Sequence, residues 1–438
     1  MTELVVIGGI FREWIPATGG PSVRRAGGSG YVAALTAAAL GAKVALVSFV
    51  GEEDSGAALT TLNRAGVDTS AVQILPGASG IFAFEDIADR QAPRPSYRPA
   101  ESFPTNPTPL GSPTAPVVLA FGFPDFDCLQ WIRDALENGG TFLWDRQGWL
   151  SRDIQPLALE DLPAARRIYI ANLQEMLEAT NRSSYKDALS EQPAAGFDTS
   201  IIKCGRWGTV IADGTSMVSL IPAFEAAARS VIGSGDTFAG ALAARLANGG
   251  ELYDAAYTGA AAASLVIERP SNIPPQAFPR AVASVRQSRP RRFVNPVTLE
   301  NRVVYLAGPW FSAAESMLVS ELERALSNLG MAVVSPRRDI GELGPQSTDS
   351  QVLDVGRLDY EAIDSCDLLV ALLDGNDPGT LMEVGYAAKA QIPTIVLVSQ
   401  PDAIPQPMRA AAGVVVARTV QELLNKVTTW ARNHYGIG

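Results

Sequence analysis

The sequence predicts an α/β protein with two doubly wound domains, each a mostly parallel sheet covered by helices on both faces. At 438 residues the chain is too long for one ordinary hydrophobic core. Short apolar runs alternate with Ala- and Leu-rich stretches along the chain, which is typical of successive βαβ units. Acidic residues stand at two strand–turn–helix junctions, around Asp236 and around Asp377. Such junctions are where open α/β sheets bind their ligands.

The apolar runs give the expected strands in chain order. The predicted strands are Leu4–Ile7, Lys43–Ser48, Val117–Phe121, Thr141–Trp144, Ile168–Ile170, Ser200–Lys203, Val303–Leu306, Leu368–Leu373 and Thr394–Val398. The stretches Val32–Leu40 and Asp236–Ala247 are rich in good helix formers and predict helices among these strands.

Two proline-bearing stretches interrupt the alternation. Residues 90–116 predict a long irregular excursion of the kind that forms a lid or its flank. Residues 280–301 are basic and contain prolines, and we interpret them as a solvated linker. The predicted domains are therefore 1–279 and 302–438.

Composition and charge exclude several classes of function. A net charge of −11 argues against binding to nucleic acid or to an anionic membrane surface. The most apolar helical stretch, Tyr257–Ile267, is shorter than the roughly 20 residues that cross a bilayer. The three cysteines lie far apart, without metal-binding or disulfide spacing. We expect a soluble cytoplasmic protein whose partners are small molecules.

The chain contains a single histidine, His434, close to the C-terminus. A surface residue at a frayed end is the expected role for it. Catalytic triads and histidine metal sites are therefore excluded, and chemistry must come from Asp, Glu, backbone dipoles and metal-bound phosphates.

The first acidic junction is the segment Gly233–Phe238, which leads into the helix-forming run Ala239–Leu246. Its glycines allow backbone amides at the helix N-terminus to face an anion, where the helix dipole also favours negative charge. Asp236 lies in the same turn and could take a proton from a hydroxyl that attacks a phosphoryl group. A structural capping turn is an equally good interpretation of this motif alone.

The neighbouring motifs resemble the ribokinase-like (PfkB) family of carbohydrate and nucleoside kinases over about residues 1–275. The matching segments are Gly27–Gly30, Val50–Gly56, Ala65–Asp68, Asn172–Glu175, Gly205–Gly208 and Gly233–Asp236. The resemblance implies a ribokinase-like fold, ATP and Mg²⁺ as cofactors, and Asp236 as the general base. It implies substrate binding at Gly27 and Gly28. It also implies cofactor binding by Asn172, Glu175, Gly205, Gly208, Gly233, Ser234 and Gly235, with Glu175 as the residue that holds Mg²⁺.

Three segments of the chain depart from that family's pattern. Ser230–Ile232 replaces the usual Asp-Thr sequence before the anion hole, and Ser29 and Val32 replace polar residues after the first glycine pair. Glu13 could substitute for a sugar-binding Asp only if its loop reaches the substrate. A kinase-like domain that only binds its ligand therefore remains an alternative.

The second acidic junction follows the apolar run Leu368–Leu373. It contains Asp377 at the start of a helix and Glu383 within the apolar segment Leu381–Ala387. A glutamate in such an apolar turn is a candidate functional residue. Asp359 lies on the preceding predicted helix, Val355–Ile363.

These segments resemble the nucleoside 2-deoxyribosyltransferases and related N-glycoside hydrolases over about residues 302–420, with a smaller Rossmann-like (flavodoxin-like) fold. The resemblance implies that Glu383 attacks the anomeric carbon, while Asp377 and Asp359 hold sugar hydroxyls and protonate the leaving base. It also implies a homo-oligomer in which a neighbouring subunit lends residues to the site. The substrate-binding residues it implies are Tyr305, Gly308, Trp310, Phe311 and Met408. A free glutamate has a pKa of about 4.3, so we expect Glu383 to be an anion at pH 7.

Two hypotheses of function follow. The first is a bifunctional nucleoside enzyme that phosphorylates a hydroxyl with ATP and makes or breaks an N-glycosidic bond. The second is a regulatory or defence protein in which the kinase-like domain senses a ligand. That domain would then control a hydrolase that consumes nucleotides or NAD. The departures at Ser230–Ile232 and Ser29 motivate the second hypothesis.

Overall fold

The computed structural model describes most of the chain. The described residues are 2–15, 23–84, 96–100, 110–123, 128–147, 162–181, 196–205, 208–213, 217–226, 230–268, 275–289, 291–292, 299, 302–309, 313–327, 329–341, 347–373, 377–398 and 413–435. They form two compact units that meet in sequence between Phe293 and Val294.

The first unit contains a large central sheet and two smaller ones. Its described strands are β1 Leu4–Ile7, β2 Phe11–Ile15, β3 Val23–Gly27, β4 Val44–Gly51, β5 Val72–Leu75, β6 Ile81–Ala83, β7 Ser96–Arg98, β8 Ala115–Phe121, β9 Leu136–Asp145, β10 Ala164–Asn172, β11 Thr199–Lys203, β12 Thr209–Asp213, β13 Met217–Ile221, β14 Ala223–Phe224 and β15 Arg291–Arg292. The central sheet has the order β13-β12-β11-β10-β9-β8-β1-β4-β5. It is parallel from β5 to β11, and the hairpin strands β12 and β13 are antiparallel.

Helices cover this sheet. Those described are α1 Ser29–Ala39, α2 Glu52–Arg64, α3 Leu129–Ala135, α4 Leu173–Thr180, α5 Ser234–Ala247, α6 Leu252–Glu268 and α7 Phe278–Ser288. Strand β4 is buried at every position, as expected for a parallel strand with layers on both faces. One core joins β1, β4, β8, α1 and α5 through apolar side chains such as Leu4, Leu46 and Leu242.

A separate four-stranded sheet has the order β3-β2-β6-β7. Phe11, Phe82 and Tyr97 pack together in it, with ring centroids 4.8–5.9 Å apart. Strand β7 lies within the stretch 90–116 that the sequence predicts to be irregular, and it pairs antiparallel with β6. Its short length and few apolar residues explain why no strand is predicted there.

We expected a solvated linker over 280–301. The structure instead has residues 280–288 in helix α7. Helix α7 packs on α6, and Arg286 binds Asp254 and also donates to Thr258 Oγ1 at 2.9 Å. Strand β15 then pairs with β14. Two of the arginines that suggested a solvated segment form ion pairs within the first unit, Arg286 with Asp254 and Arg289 with Glu268.

The second unit is a five-stranded parallel sheet with the order β17-β16-β18-β19-β20. Its described elements are β16 Val303–Ala307, α8 Ala313–Ser327, β17 Ala332–Val334, α9 Pro336–Asp339, α10 Asp349–Ser365, β18 Leu368–Leu372, α11 Pro378–Lys389, β19 Thr394–Leu397, β20 Val414–Ala417 and α12 Val420–Tyr435. The strand order reverses between β16 and β18. Doubly wound sheets bind ligands at the carboxyl ends of the strands that flank such a switch point.

Candidate active sites in the two units

In the first unit, three polar residues end successive strands of the central sheet. Asp145 is the last residue of β9, Asn172 of β10 and Lys203 of β11. Asn172 is the register partner of Lys203, and Asp145 is the register partner of Ile170. Lys203 Nζ donates to both carboxylate oxygens of Asp145, at 2.8 and 2.9 Å. This ion pair bridges β9 and β11 across the end of β10.

Asn172 and Glu175 form a capping box at the start of α4. Asn172 Oδ1 accepts from the Glu175 amide at 2.8 Å, and Glu175 Oε2 accepts from the Asn172 amide at 2.7 Å. These two bonds fix the Glu175 carboxylate at the carboxyl edge of the sheet. There its charge contributes to raising the pKa values of Asp145 and Asp236.

Helix α5 begins at the same edge. Its N-cap Gly233 has φ 76°, a left-handed conformation that favours glycine. The amides of Gly235 and Asp236 lie in the first turn, where an α-helix has no internal acceptors for N–H groups. The predicted anion-binding turn and the acid are therefore on one helix start.

Asp236 is half-buried, and burial raises its pKa to about 6. Lys203 and a hydrogen bond with Ser29 oppose that rise, while the charges of Glu13 and Glu175 add to it. A carboxyl group with such a pKa is mostly ionised at pH 7 yet basic enough to accept a proton.

The predicted substrate glycines lie against Glu13, which is buried. Glu13 Oε1 accepts from the Gly28 amide at 3.1 Å, and Oε2 accepts from Arg25 Nε at 2.9 Å. A Cβ on Gly27 would lie 2.1 Å from Glu13 Cδ, so a larger residue there would displace the Glu13 carboxylate. Glu13 therefore reaches the glycine pair and binds it through a backbone amide.

Gly205 and Gly208 both have positive φ, 57° and 99°, in the turn between β11 and β12. The Gly208 amide donates to Gly205 O at 3.1 Å, which closes the turn. The structure thus places this predicted cofactor segment directly after Lys203.

The donor set of this site fits magnesium. No group of three or more His, Cys, Asp or Glu side chains suited to a metal ion occurs among the described residues. Mg²⁺ does not need such a cage, because it usually keeps several waters and binds one or two carboxylates together with substrate phosphates. Glu175 provides a carboxylate fixed by its capping box.

In the second unit, Tyr305 joins two of the predicted acids. Its hydroxyl donates to Glu383 Oε1 at 2.7 Å and lies 3.2 Å from Asp359 Oδ1. Tyr305 is on β16, Asp359 on α10 and Glu383 on α11. The three side chains therefore converge from three elements beside the switch point. Tyr305, predicted as a substrate residue, contacts the catalytic candidates themselves.

Burial raises the pKa of Glu383 to about 7, and the charges of Asp359 and Asp377 add to the rise while the Tyr305 hydrogen bond opposes it. Burial also raises the pKa of Asp359. The expectation that Glu383 is fully ionised at pH 7 therefore needs correction. The reference value for a free glutamate does not include desolvation or neighbouring charges.

Asp377 is the N-cap of α11. Its Oδ2 accepts from the Thr380 amide at 2.7 Å and from Thr380 Oγ1 at 2.8 Å.

Gly308 follows β16, and a Cβ there would lie 3.0 Å from Val319 Cγ2. Other predicted residues, Trp310, Phe311 and Met408, lie outside the described residues.

Comparison with protein families identifies the family to which the first unit belongs. The model of the pfkB family of carbohydrate kinases matches residues 1–277, which is more than half of the chain. The chain belongs to the pfkB family. The nucleoside 2-deoxyribosyltransferase model matches residues 304–423, so the chain is a fusion of a pfkB kinase domain with a nucleoside 2-deoxyribosyltransferase domain. No curated protein matches it in sequence.

Solved structures agree with the fold of the pfkB domain. Arabidopsis thaliana ribokinase, solved with ribose and ATP, is 19% identical with a TM-score of 0.53, over 65% of this chain and 98% of its own. Aminoimidazole riboside kinase from Salmonella enterica is 19% identical with a TM-score of 0.53, over 65% of this chain and 99% of its own. Adenosine kinase from Sinorhizobium meliloti is 17% identical with a TM-score of 0.52, over 64% of this chain and 98% of its own. At these identities the likeness shows the ribokinase-like fold.

In the described part of the chain, no helix is apolar over a length sufficient to cross a bilayer.

Three polar residues of the pfkB domain's site were missed from the sequence. They are Asp145, Lys203 and Gln147, whose Oε1 lies 3.1 Å from Ser29 Oγ. The signal that could have found the ion pair was present, because Asp145 and Lys203 are charged residues at the ends of apolar strands. Their pairing was not visible, since they are 58 residues apart and β10 lies between their strands.

Proposed function

We propose that the chain is a bifunctional enzyme of nucleoside metabolism. Its pfkB domain phosphorylates a hydroxyl of a nucleoside or sugar with ATP, and its second domain cleaves or transfers at an N-glycosidic bond. One observation supports both halves. In each unit a partly buried carboxyl group with a raised pKa, Asp236 or Glu383, belongs to the helix that follows a glycine- or proline-bearing turn at the carboxyl edge of a parallel sheet.

In the pfkB domain, Asp236 takes the proton of the acceptor hydroxyl. The hydroxyl oxygen attacks the γ-phosphorus of ATP, and ADP leaves. Amides of the Gly233–Asp236 turn face the transferred phosphoryl group, where the dipole of α5 favours negative charge. Mg²⁺, when bound beside Glu175, neutralises phosphate charge. The neighbours solved with ATP and with ribose or a riboside support this choice of cofactor and acceptor. We infer a cytoplasmic location, in keeping with three cysteines that form no disulfide.

In the second domain, ionised Glu383 attacks the anomeric carbon and displaces the base with the bonding electron pair. Asp359 and Asp377 hold sugar hydroxyls and supply the proton that the leaving base takes up. The direction of the Asp359 pKa supports this role, because burial raises it and thereby favours the protonated carboxyl group. The glycosyl-enzyme then passes its sugar to a second base or to water.

Joining the two activities raises the local concentration of an intermediate. We infer that the kinase product, a nucleoside 5′-phosphate, is the compound that the second domain divides into base and sugar phosphate. The net charge of −11 argues against a nucleic-acid partner but not against small phosphate ligands such as these, which local backbone amides can hold.

We also infer that the protein is a homo-oligomer. Four large apolar side chains on α10 and α11 are exposed, namely Val352, Leu353, Leu358 and Met382. They lie close in sequence to Asp359 and Glu383, where a second subunit could cover them. Light scattering should give a mass above 46.3 kDa, and Leu353→Glu should reduce it. A monomeric wild type would contradict this inference.

Product analysis tests the function. Purified protein is incubated with ATP, Mg²⁺ and a panel of nucleosides and nucleoside 5′-phosphates, and products are identified by mass spectrometry. We expect phosphorylated nucleoside and released base from the wild type, loss of phosphorylation in Asp236→Ala and loss of base release in Glu383→Ala. Neither product from the wild type would contradict the proposal. Ligand binding by calorimetry without ATP turnover, with base release intact in Asp236→Ala, would instead favour the sensor hypothesis.

A further inference from the structure

The Asp145–Lys203 ion pair of the pfkB domain has no part in the reaction described so far. Asp145 is fully buried, and the Lys203 side chain is only 15% exposed. Removing two charges from water is costly, and a buried ion pair is often no more stabilising than apolar residues in its place. A pair of this kind at the carboxyl edge of a parallel sheet therefore calls for a functional reason.

The position of the ammonium group supplies one. A Cβ added to Gly235 would lie 3.4 Å from Lys203 Nζ, so the ammonium directly adjoins the first turn of α5. A lysine ammonium has three N–H groups, and Asp145 accepts from it at two oxygens. Within the described residues the third N–H has no hydrogen-bond acceptor, so it can donate to an anion bound at that turn. Glycine at position 235 keeps the space between them open.

The charges around Lys203 fit the same role. Burial alone would lower its pKa, but Asp145, Glu175 and Asp236 together raise it above its ordinary value, so the side chain stays cationic. The groups that affect Asp236 are Lys203 on β11, Ser29 on α1, Glu13 on β2 and Glu175 on α4. Lys203 is the cation in this set, and it adjoins the turn that presents helix amides.

We propose that Lys203 is a further catalytic residue of phosphoryl transfer, which binds an oxygen of the transferred phosphoryl group while Asp145 holds its side chain in place. This role rests on the proposed kinase function. During the step the bond between the γ-phosphorus and the bridging oxygen breaks, and ADP leaves with that electron pair. A bond forms from the acceptor oxygen to phosphorus, and the acceptor proton passes to Asp236. Lys203 keeps its own proton and balances charge on the moving group.

The test compares Lys203→Met with Lys203→Arg, Asp145→Asn and the matched control Lys43→Met in the full-length protein. Lys43 is exposed at the opposite end of the sheet, where its ammonium lies 3.4 Å from Glu3. We expect Lys203→Met to lower kcat for phosphorylation by about 100-fold or more, with little change in the Kd of a non-hydrolysable ATP analogue. Lys203→Arg should retain part of the activity, and Lys43→Met all of it.

The pH profile separates catalysis from a structural role. Lys203 lowers the pKa of Asp236, so its removal should move the acid limb of kcat/KM to higher pH. A purely structural loss would reduce the amount of folded enzyme and leave the limb in place. If Lys203→Met does not fold, Asp145→Asn, which keeps the cation but loosens its anchor, should still lower kcat. Asp145→Asn with unchanged kcat would then overturn the role.

The possible failures are distinguishable. A wild type that phosphorylates the nucleoside panel, together with an equally active Lys203→Met, overturns the role of Lys203 alone. A wild type that transfers no phosphate to any acceptor overturns the kinase function and, with it, this role.

Discussion

The two candidate sites use partly buried carboxyl groups in different electrostatic surroundings. The groups that set the pKa of Asp236 are an ammonium group, Lys203, the hydroxyl of Ser29 and two carboxylates, Glu13 and Glu175. Glu383 instead has Asp359 and Asp377 near it and a neutral hydroxyl, Tyr305, as hydrogen-bond donor. Phosphoryl transfer accumulates negative charge on phosphate oxygens, which a cation stabilises. Glycosidic cleavage develops positive charge on the sugar ring, which clustered carboxylates stabilise. The groups that act on Asp236 include a cation and those that act on Glu383 do not, which matches this difference between the proposed transition states.

The largest expected effects are losses of one activity at a time. Glu383→Gln should reduce base release by about 10⁴-fold or more, because the nucleophile is gone, and should leave phosphorylation unchanged. Product quantification by chromatography measures both activities. Glu361→Gln on the exposed face of α10, where Arg357 pairs with it, is the control and should keep full base release. Base release that survives Glu383→Gln would rule out this nucleophile.

Asp236→Asn should produce the reverse pattern. Loss of the general base should lower phosphorylation by about 10²–10⁴-fold, with base release from a supplied nucleoside 5′-phosphate intact. A coupled assay for ADP measures the first activity. Simultaneous loss of both activities in this soluble, folded variant would show that the domains do not act as separate sites.

Gly30 at the start of α1 and Gly308 after β16 should differ in how well they tolerate a side chain. A Cβ on Gly30 would lie 2.4 Å from backbone atoms of Gly8, whereas one on Gly308 would meet a flexible valine methyl at 3.0 Å. We expect Gly30→Ala to destabilise the first unit by about 1–3 kcal/mol and Gly308→Ala to cost less. Gly56→Ala in α2, where a Cβ meets nothing within 4 Å, should instead stabilise by about 0.4–1 kcal/mol. Thermal unfolding followed by circular dichroism measures all three, and equal costs at positions 30 and 308 would contradict this expectation.

Substitutions around Glu383 should move its titration in opposite directions. Tyr305→Phe removes the hydrogen bond that lowers the pKa of Glu383, so the acid limb of base release should move to higher pH. Asp359→Asn removes a charge that raises that pKa, so the limb should move to lower pH. The rate in each variant is compared with its own maximum, which separates the position of the limb from lost turnover. Shifts of the same sign would show that the two groups do not act on Glu383 as described.

The smallest effect is the difference between the two wild-type pH profiles. Each acid must be ionised to act, so each activity is lost as pH falls through the corresponding pKa. Phosphorylation should fall below about pH 6 and base release below about pH 7. Measuring kcat/KM for both reactions in one buffer series tests this order. Base release that persists to lower pH than phosphorylation would reverse the comparison.

Much of the fold was open to sequence reasoning because its strands are continuous apolar runs. Leu368–Leu373 and Val117–Phe121 were predicted close to their observed bounds for this reason. Strands β2 and β7 were missed, since their charged and short segments lack such a pattern. Glu383 is a candidate from the sequence because it interrupts an apolar helix turn.

The sequence by itself determined the two α/β units and the acids at their strand–helix junctions, because periodicity and turn residues act over a few neighbouring positions. The tertiary structure decided the surroundings of those acids. It brought Lys203 to Asp145 across β10 and Tyr305 to Glu383 from 78 residues away. A pKa depends on burial and on charges a few ångströms distant, and those neighbours are set by packing of the folded chain.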